Sequence, residues 1–362
     1  MMHRIEHKPM RKPCGSAFML FLMGWFFMLV FILPLLVSLL YHAGVSSAFV
    51  FSPWFVIFTQ LIGMLLPLGI WLAIRRENLN DFLPNMKLGV SNIVYVIAIS
   101  IFIQPAMMLV SGITTLIFPN DVSELVIEMA MRTPFIVLLL AVAVTPSIVE
   151  EVVFRGYIQA QYSHFSVHKM AFINGVFFGI MHMNPHQFLY TFIMGAIFAY
   201  MVHYTRSIRA AVLSHFVING GQVVLMWVSA RMMEMEGAYD AALEETVIPF
   251  GDAYSIIGPE HAVILAIASA LFFALFATPC AVILFRTFIS YNRGRNIKYD
   301  MKLALQTLEL TANADEPSDS ENISDSENIS EHPPRRLIDP FTIVVFILFL
   351  LWMMLNIFVE QM

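Results

Sequence analysis

Charge is what this 362-residue chain has least of. Asp, Glu, Lys and Arg make up only 13% of it, roughly half the ~25% usual for soluble domains. Hydrophobic residues account for 59%, and the mean hydropathy is +0.74. So little charge cannot cover a water-exposed surface, which excludes a soluble enzyme, a nucleic-acid binder and a disordered scaffold. Cysteine is nearly absent as well: Cys14 and Cys280 are too few for a disulfide framework. No GxxxxGK, GxGxxG, CxxCH or HExxH occurs, so nucleotide, haem and zincin chemistry have no motif here.

Long apolar runs are abundant. A helix of ~20 residues crosses a ~30 Å hydrocarbon layer, and continuous runs of that length exclude the short alternating strands of a membrane barrel. Nine spans are expected: Phe18–Leu40, Pro53–Ile74, Ser91–Phe118, Pro134–Tyr157, Met170–Met183, His186–Tyr204, Ala210–Ala230, His261–Phe285 and Phe341–Val359. The first is too long for the apolar region of a signal peptide and reads as a retained helix. The fifth is short, and Asn184-Pro185 follows it as a turn. With the N-terminus in the cytoplasm, eighteen of the 20 Lys and Arg fall in inner segments, and only Arg132 and Arg231 fall outside. The expected fold is an all-α polytopic bundle of about eight core helices plus a C-terminal helix on a tether.

Five regions follow from composition. Residues 1–133 hold N-terminal membrane helices, and 134–230 hold the polar motifs described next. An acidic, Met-rich outer loop, an eighth helix and a basic cytoplasmic segment fill 231–305. Residues 306–340 carry the tandem hexapeptide DSENIS, at Asp319–Ser324 and Asp325–Ser330. Such a stretch buries too little apolar area to offset chain entropy and reads as a disordered acidic tether. Residues 341–362 hold the last span. The net charge of −6 matters less than this distribution.

Ionisable side chains at membrane depth are costly, and each one raises a functional question. They concentrate in three places. Glu150 and Glu151 open EEVVFR, in which Glu151 and Arg155 are one helical turn apart and can pair. Glu150 is rotated about 100° from Glu151 and points elsewhere. The alternative is an interfacial cluster with both carboxylates solvated. His182 closes FGIMH, either as a base or as a packed core histidine. His215 and Asn219 bracket HFVIN on one helix face, where they either present two donors to one point or bond neighbouring helices. Taken together, the three suggest water activation by Glu150 with His182, and oxyanion stabilisation by His215 and Asn219. That is the chemistry of peptide-bond hydrolysis.

The three motifs, in this order and spacing, resemble those of the CPBP family, the type II CAAX prenyl proteases and bacteriocin-processing relatives also called Abi proteins. The resemblance covers Pro134 to Ala230. It implies Glu150 as catalytic glutamate, Glu151 and Arg155 as its support, His182 as co-base, and His215 with Asn219 completing the site. It further implies a membrane-associated peptide or lipidated protein as substrate, in CAAX-type or bacteriocin-processing and self-immunity roles, and membrane lipid as surroundings. No nucleic-acid partner is expected, and a bacterial cytoplasmic membrane is the expected location.

Glu150, His182 and His215 would also make a plausible zinc set. However, the residue one turn from His215 is Asn219, a poor zinc ligand, so a metal-independent site is the expectation and a zinc endopeptidase the alternative. Two other classes compete with a protease. A secondary transporter would use Glu150 and His182 as a proton relay, and a non-catalytic immunity scaffold would bind a partner through the polar core.

Overall fold

A computed structural model describes residues 33–44, 52–118, 121–235 and 259–312, with seven further residues between 343 and 351. The described residues are helical, without strands, and form a polytopic membrane bundle. In order they are α1 (Leu33–His42), α2 (Pro53–Arg75), α3 (Val90–Thr115), α4 (Asp121–Arg132), α5 (Phe135–Gln161), α6 (Val167–Met181), α7 (Pro185–Thr205), α8 (Ile208–Met235) and α9 (Pro259–Ala312). Six of these are long and apolar enough to cross a membrane, so the chain is an integral membrane protein. The tether from residue 313 on with its two hexapeptides, most of the outer loop and most of the first expected span lie outside the described residues, while residues 306–312, expected in the disordered tether, are helical as the end of α9.

Helix ends follow local chemistry. Ser52 caps α2 by accepting from the Phe55 N–H, with Pro53 at the first helical position. Asn184 Oδ1 caps α7 the same way, from the Gln187 N–H at 3.1 Å, followed by Pro185. The α6–α7 turn is tight enough to hold Met183 in the left-handed region, φ 47°, which disfavours an L side chain by about 1–2 kcal/mol.

Close packing of α6 on α7 depends on missing side chains. A Cβ on Gly175 would sit 2.6 Å from the Phe192 carbonyl oxygen, and one on Gly195 would sit 2.7 Å from Phe178 Cβ. Small residues at such positions let helix backbones touch, and packing of this kind replaces the hydrophobic drive that lipid removes.

Around this hairpin, α3 packs against α9 along its length and also against α7 and α8, while α5 lies between α2 and α8. Asn92 and Asn292, both fully buried, exchange amide hydrogen bonds of 3.0 and 2.8 Å and fix the register of α3 on α9. At the expected inner face, the Arg206 guanidinium grips Asp300 with bonds of 2.7 and 2.8 Å. Arg295 donates to the Thr205 carbonyl and Asn296 to that of Tyr204. These side chains of α9 satisfy the open carbonyls at the C-terminus of α7.

Three details depart from the sequence expectation. The eighth helix does not stop near Phe285 but continues to Ala312, held by those contacts with α7. The loop after α3 contains α4, an amphipathic helix that buries Val126, Met129 and Ala130. His186 directly follows the Asn184-Pro185 turn, a position that suggests an interface, yet it is 2% exposed with Nε2 at 3.0 Å from Thr115 Oγ1.

The Gly175→Leu substitution is expected to destabilise the detergent-solubilised protein by about 1–3 kcal/mol or more, the usual cost of overpacking. A Gly69→Ala control, with nothing within 4 Å of its Cβ, should leave the thermal midpoint unchanged or slightly raised.

Candidate active site

The helix that carries EEVVFR is not uniform. Within α5, Leu140–Val144 and Val152–Ile158 are wound as wide π turns on either side of the α-helical Thr145–Glu151. Wide turns of this kind release backbone groups from the α-helical ladder and are frequent at functional sites. Pro146 adds a second cause, because it has no N–H to give to the carbonyl one turn back, that of Val142. Asn219 Nδ2, on α8, donates to the Val142 oxygen at 3.1 Å.

That bond fixes the rest of a chain of polar groups. A carbonyl only accepts, so Asn219 turns its nitrogen toward Val142. The same nitrogen lies 3.1 Å from His215 Nε2, which must therefore accept. The His215 proton is then on Nδ1, which donates to Glu151 Oε1 at 2.9 Å. Glu151 Oε1 also receives Arg155 Nη1 at 3.1 Å, and Arg155 Nη2 donates to the Gly195 carbonyl at 2.9 Å. Phe178 lies 4.4 Å from the guanidinium carbon and Phe198 5.1 Å from it, each presenting its ring to the cation. Phe198 also stacks on His215 at 5.3 Å. Glu151 and Arg155 are 0% and 1% exposed, and their mutual pairing is what makes two such buried charges tolerable.

Glu150 is treated differently. It is 7% exposed, and its Oε2 is buried without a hydrogen-bonding partner among the described residues. It stays outside the Glu151–Arg155 chain, as its rotation on the helix requires, yet lies within the electrostatic field of His215, Glu151 and Arg155. His182 ends α6 with Nδ1 2.7 Å from the Phe178 carbonyl oxygen. Because that oxygen accepts, Nδ1 carries the proton and the lone pair of Nε2 is left for a ligand. The Phe178 ring joins the two parts, with centroids 5.0 Å from His182 and 5.9 Å from His215.

The structure thus brings Glu151, Arg155, His215 and Asn219 into one bonded chain, with Glu150 and His182 beside it. It differs from the sequence expectation in one respect. His215 and Asn219 do not present two free donors to a common point: they bond each other, and the second Asn219 N–H is held by Val142. Phe178, Phe198 and the Gly195 carbonyl complete the site. None of these was singled out from sequence, although Phe178 stands in the FGIMH motif itself.

Both ring nitrogens of His215 are engaged by protein groups, so the set Glu150, His182 and His215 does not fit a zinc ion in this arrangement. Among the described residues, no group of three or more His, Cys, Asp or Glu side chains is placed to hold a metal.

Residues 132–221 match the family model described as Rce1-like, type II CAAX prenyl endopeptidase Rce1-like. The matched segment runs from the end of α4 into α8 and contains all six residues of the site. No curated protein and no solved structure matches the chain.

Removing one partner of the buried pair, by Glu151→Gln or Arg155→Met, should destabilise the fold by about 3–5 kcal/mol. The double variant should recover part of that loss. Thermal unfolding of the four proteins in detergent gives the coupling, and additive losses would contradict the pairing.

Proposed function

We propose that the chain is an intramembrane endopeptidase of the CPBP family that hydrolyses a peptide bond with water activated by Glu150 and His182. The substrate is a membrane-associated peptide or lipid-anchored protein of the CAAX type. The observation that carries this reading is the contrast between adjacent glutamates. Glu151 Oε1 is bonded by both Arg155 and His215, whereas Glu150 has neither cation nor imidazole bonded to it and keeps a buried carboxylate oxygen without a partner among the described residues. A carboxylate in that condition is a strong base for a water molecule that reaches it.

In the proposed reaction, Glu150 takes a proton from water as the water oxygen attacks the scissile carbonyl carbon. His182 Nε2, with its tautomer set by the Phe178 carbonyl, orients that water. As the C–N bond breaks, the proton held by Glu150 passes to the leaving amine, and the two products are an amine and a carboxylic acid, whose remaining water proton is lost on ionisation. The developing oxyanion takes the Asn219 N–H that rests on His215 Nε2, while the other N–H stays on Val142 and keeps the amide in place. His215 and Arg155 act through position and charge and do not touch the reacting atoms. The engagement of both His215 nitrogens favours a metal-independent reaction over a zinc endopeptidase.

Glu150→Gln and His182→Ala should each lower turnover of a farnesylated CAAX peptide in detergent by about 10²–10⁴-fold, the range that general acid–base groups supply. The thermal midpoint should hold or rise for Glu150→Gln, which removes an unpartnered buried charge. Unchanged turnover in both variants would contradict the proposal. Cleavage in detergent also excludes the transporter and scaffold classes, since neither breaks a bond. Incubation with EDTA should leave activity intact, and loss restored by Zn²⁺ would establish the metal-dependent alternative.

A further inference from the structure

The second π turn of α5, Val152–Ile158, is wound so widely that the Gln159 N–H reaches back five residues to the Phe154 carbonyl. Such winding is rare and occurs mostly as single turns inside α-helices. Here two sets of side-chain bonds grip the turn from opposite sides.

On one side the turn is fastened to α7. Arg155 Nη2 donates to the Gly195 carbonyl at 2.9 Å, and Gln159 Nε2 donates to the Ala199 carbonyl at 3.1 Å. Donors and acceptors are each four residues apart, about 6 Å along a helix axis. Gly195 and Ala199 carry little or no side chain, which leaves their carbonyls open to a neighbouring helix. Gln159 is buried with Arg155 in the interior.

On the other side, about half a turn away, Tyr157 is fastened to the inner end of α2. It is buried, with the edge of its ring on Phe82 at 4.9 Å. Trp71 Nε1 lies 2.7 Å from the phenol oxygen and can only donate. The phenol proton therefore goes to Glu77 Oε2 at 2.8 Å, while Arg75 holds Glu77 Oε1 through Nε and Nη2 at 3.1 and 3.0 Å. Between the two fastenings, Gly156 lets the loop after α2 close in: a Cβ there would lie 2.6 Å from Leu83 Cδ2.

Both grips depend on the winding. If the turn relaxed to an α turn, the residues inward of it would rotate by about 100° relative to those before it. Tyr157 and Gln159 could then keep their partners only if Glu151 gave up His215. We infer that Tyr157 and Gln159 are positioning residues: by bonding α2 and α7 they hold the wide turn, and so set the direction in which Glu150 and Glu151 face. Neither touches the reacting atoms. The hold on the turn stands on the geometry alone, whereas its effect on turnover rests on the proteolytic reading.

The test uses the full-length protein in detergent with Tyr157→Phe, Gln159→Met and the double variant. Gln159 Oε1 is buried without a partner among the described residues, so the methionine gives up one bond and also removes an orphaned oxygen. Each single variant should lower kcat on a farnesylated CAAX peptide by about ten- to hundredfold, the cost of misplacement by up to ~1 Å. KM should be unchanged, and the double variant should lose no more than the worse single, because the turn is released once. Unchanged kcat, a loss confined to KM, or a double loss equal to the product of the singles would overturn the positioning role. A second readout needs no activity. On a Cys14→Ser, Cys280→Ser background, the pair Leu83→Cys and Gly156→Cys should crosslink on mild oxidation, and adding Gln159→Met should slow that crosslinking severalfold as position 156 turns away. No crosslink in the parent pair, or an equal rate with Gln159→Met, would overturn the hold on the turn. If none of the proteins cleaves the peptide, the proteolytic reading fails, and the crosslink still decides the hold.

Discussion

A buried guanidinium is the constraint around which this bundle is organised. Arg155 is 1% exposed, and a cation in that position is tolerated only if its charge is answered and the ends of its fork find acceptors. Each answer comes from a different element. Glu151 supplies the charge from the same helix, Gly195 supplies a carbonyl from α7, and Phe178 and Phe198 supply ring faces from α6 and α7. The Gly195 carbonyl is within reach because glycines let α6 and α7 touch. Loosening that hairpin would therefore unsettle the ion pair, and unsettling the ion pair would release His215.

The same logic separates the two glutamates. The chain from Val142 through Asn219 and His215 to Glu151 ends in the guanidinium. Glu150, one residue earlier, faces the interior without such company. In the proposed reaction one buried carboxylate gives position and the other gives reactivity, a division that adjacent residues can achieve because a helix turns about 100° per residue. The π turns on either side make room for this arrangement, and Pro146 commits Asn219 to the helix backbone.

Much of this was legible in the sequence, and the parts that were not have identifiable causes. The membrane class followed from charge scarcity, and the pairing of Glu151 with Arg155 followed from their spacing on one helical face. The joining of three motifs into one site followed from their polar residues taken together and from a family resemblance, which the match over residues 132–221 supports. Hydropathy could not show that α9 runs on to Ala312, because helix persists there while apolar content falls and α7 supplies the partners. It likewise passed over α4, too short and too polar to read as a span. The π turns leave no composition signal. Pro146 did leave one: a proline inside a membrane helix orphans a carbonyl, and Asn219 on a motif of its own was a natural donor. His186 went the other way, because a turn position suggested an interface while the fold buries it against Thr115 and Ser111.

The claim at the centre of this account is that Glu150 acts on water and does not itself attack the substrate. Single-turnover cleavage of a farnesylated CAAX peptide in ¹⁸O-labelled water, followed by mass spectrometry of both product and enzyme, tests it directly. The account predicts one ¹⁸O in the new C-terminal carboxylate of the product and none in the enzyme peptide containing Glu150. Label in Glu150 would mean a covalent acyl intermediate on that side chain and would contradict the account.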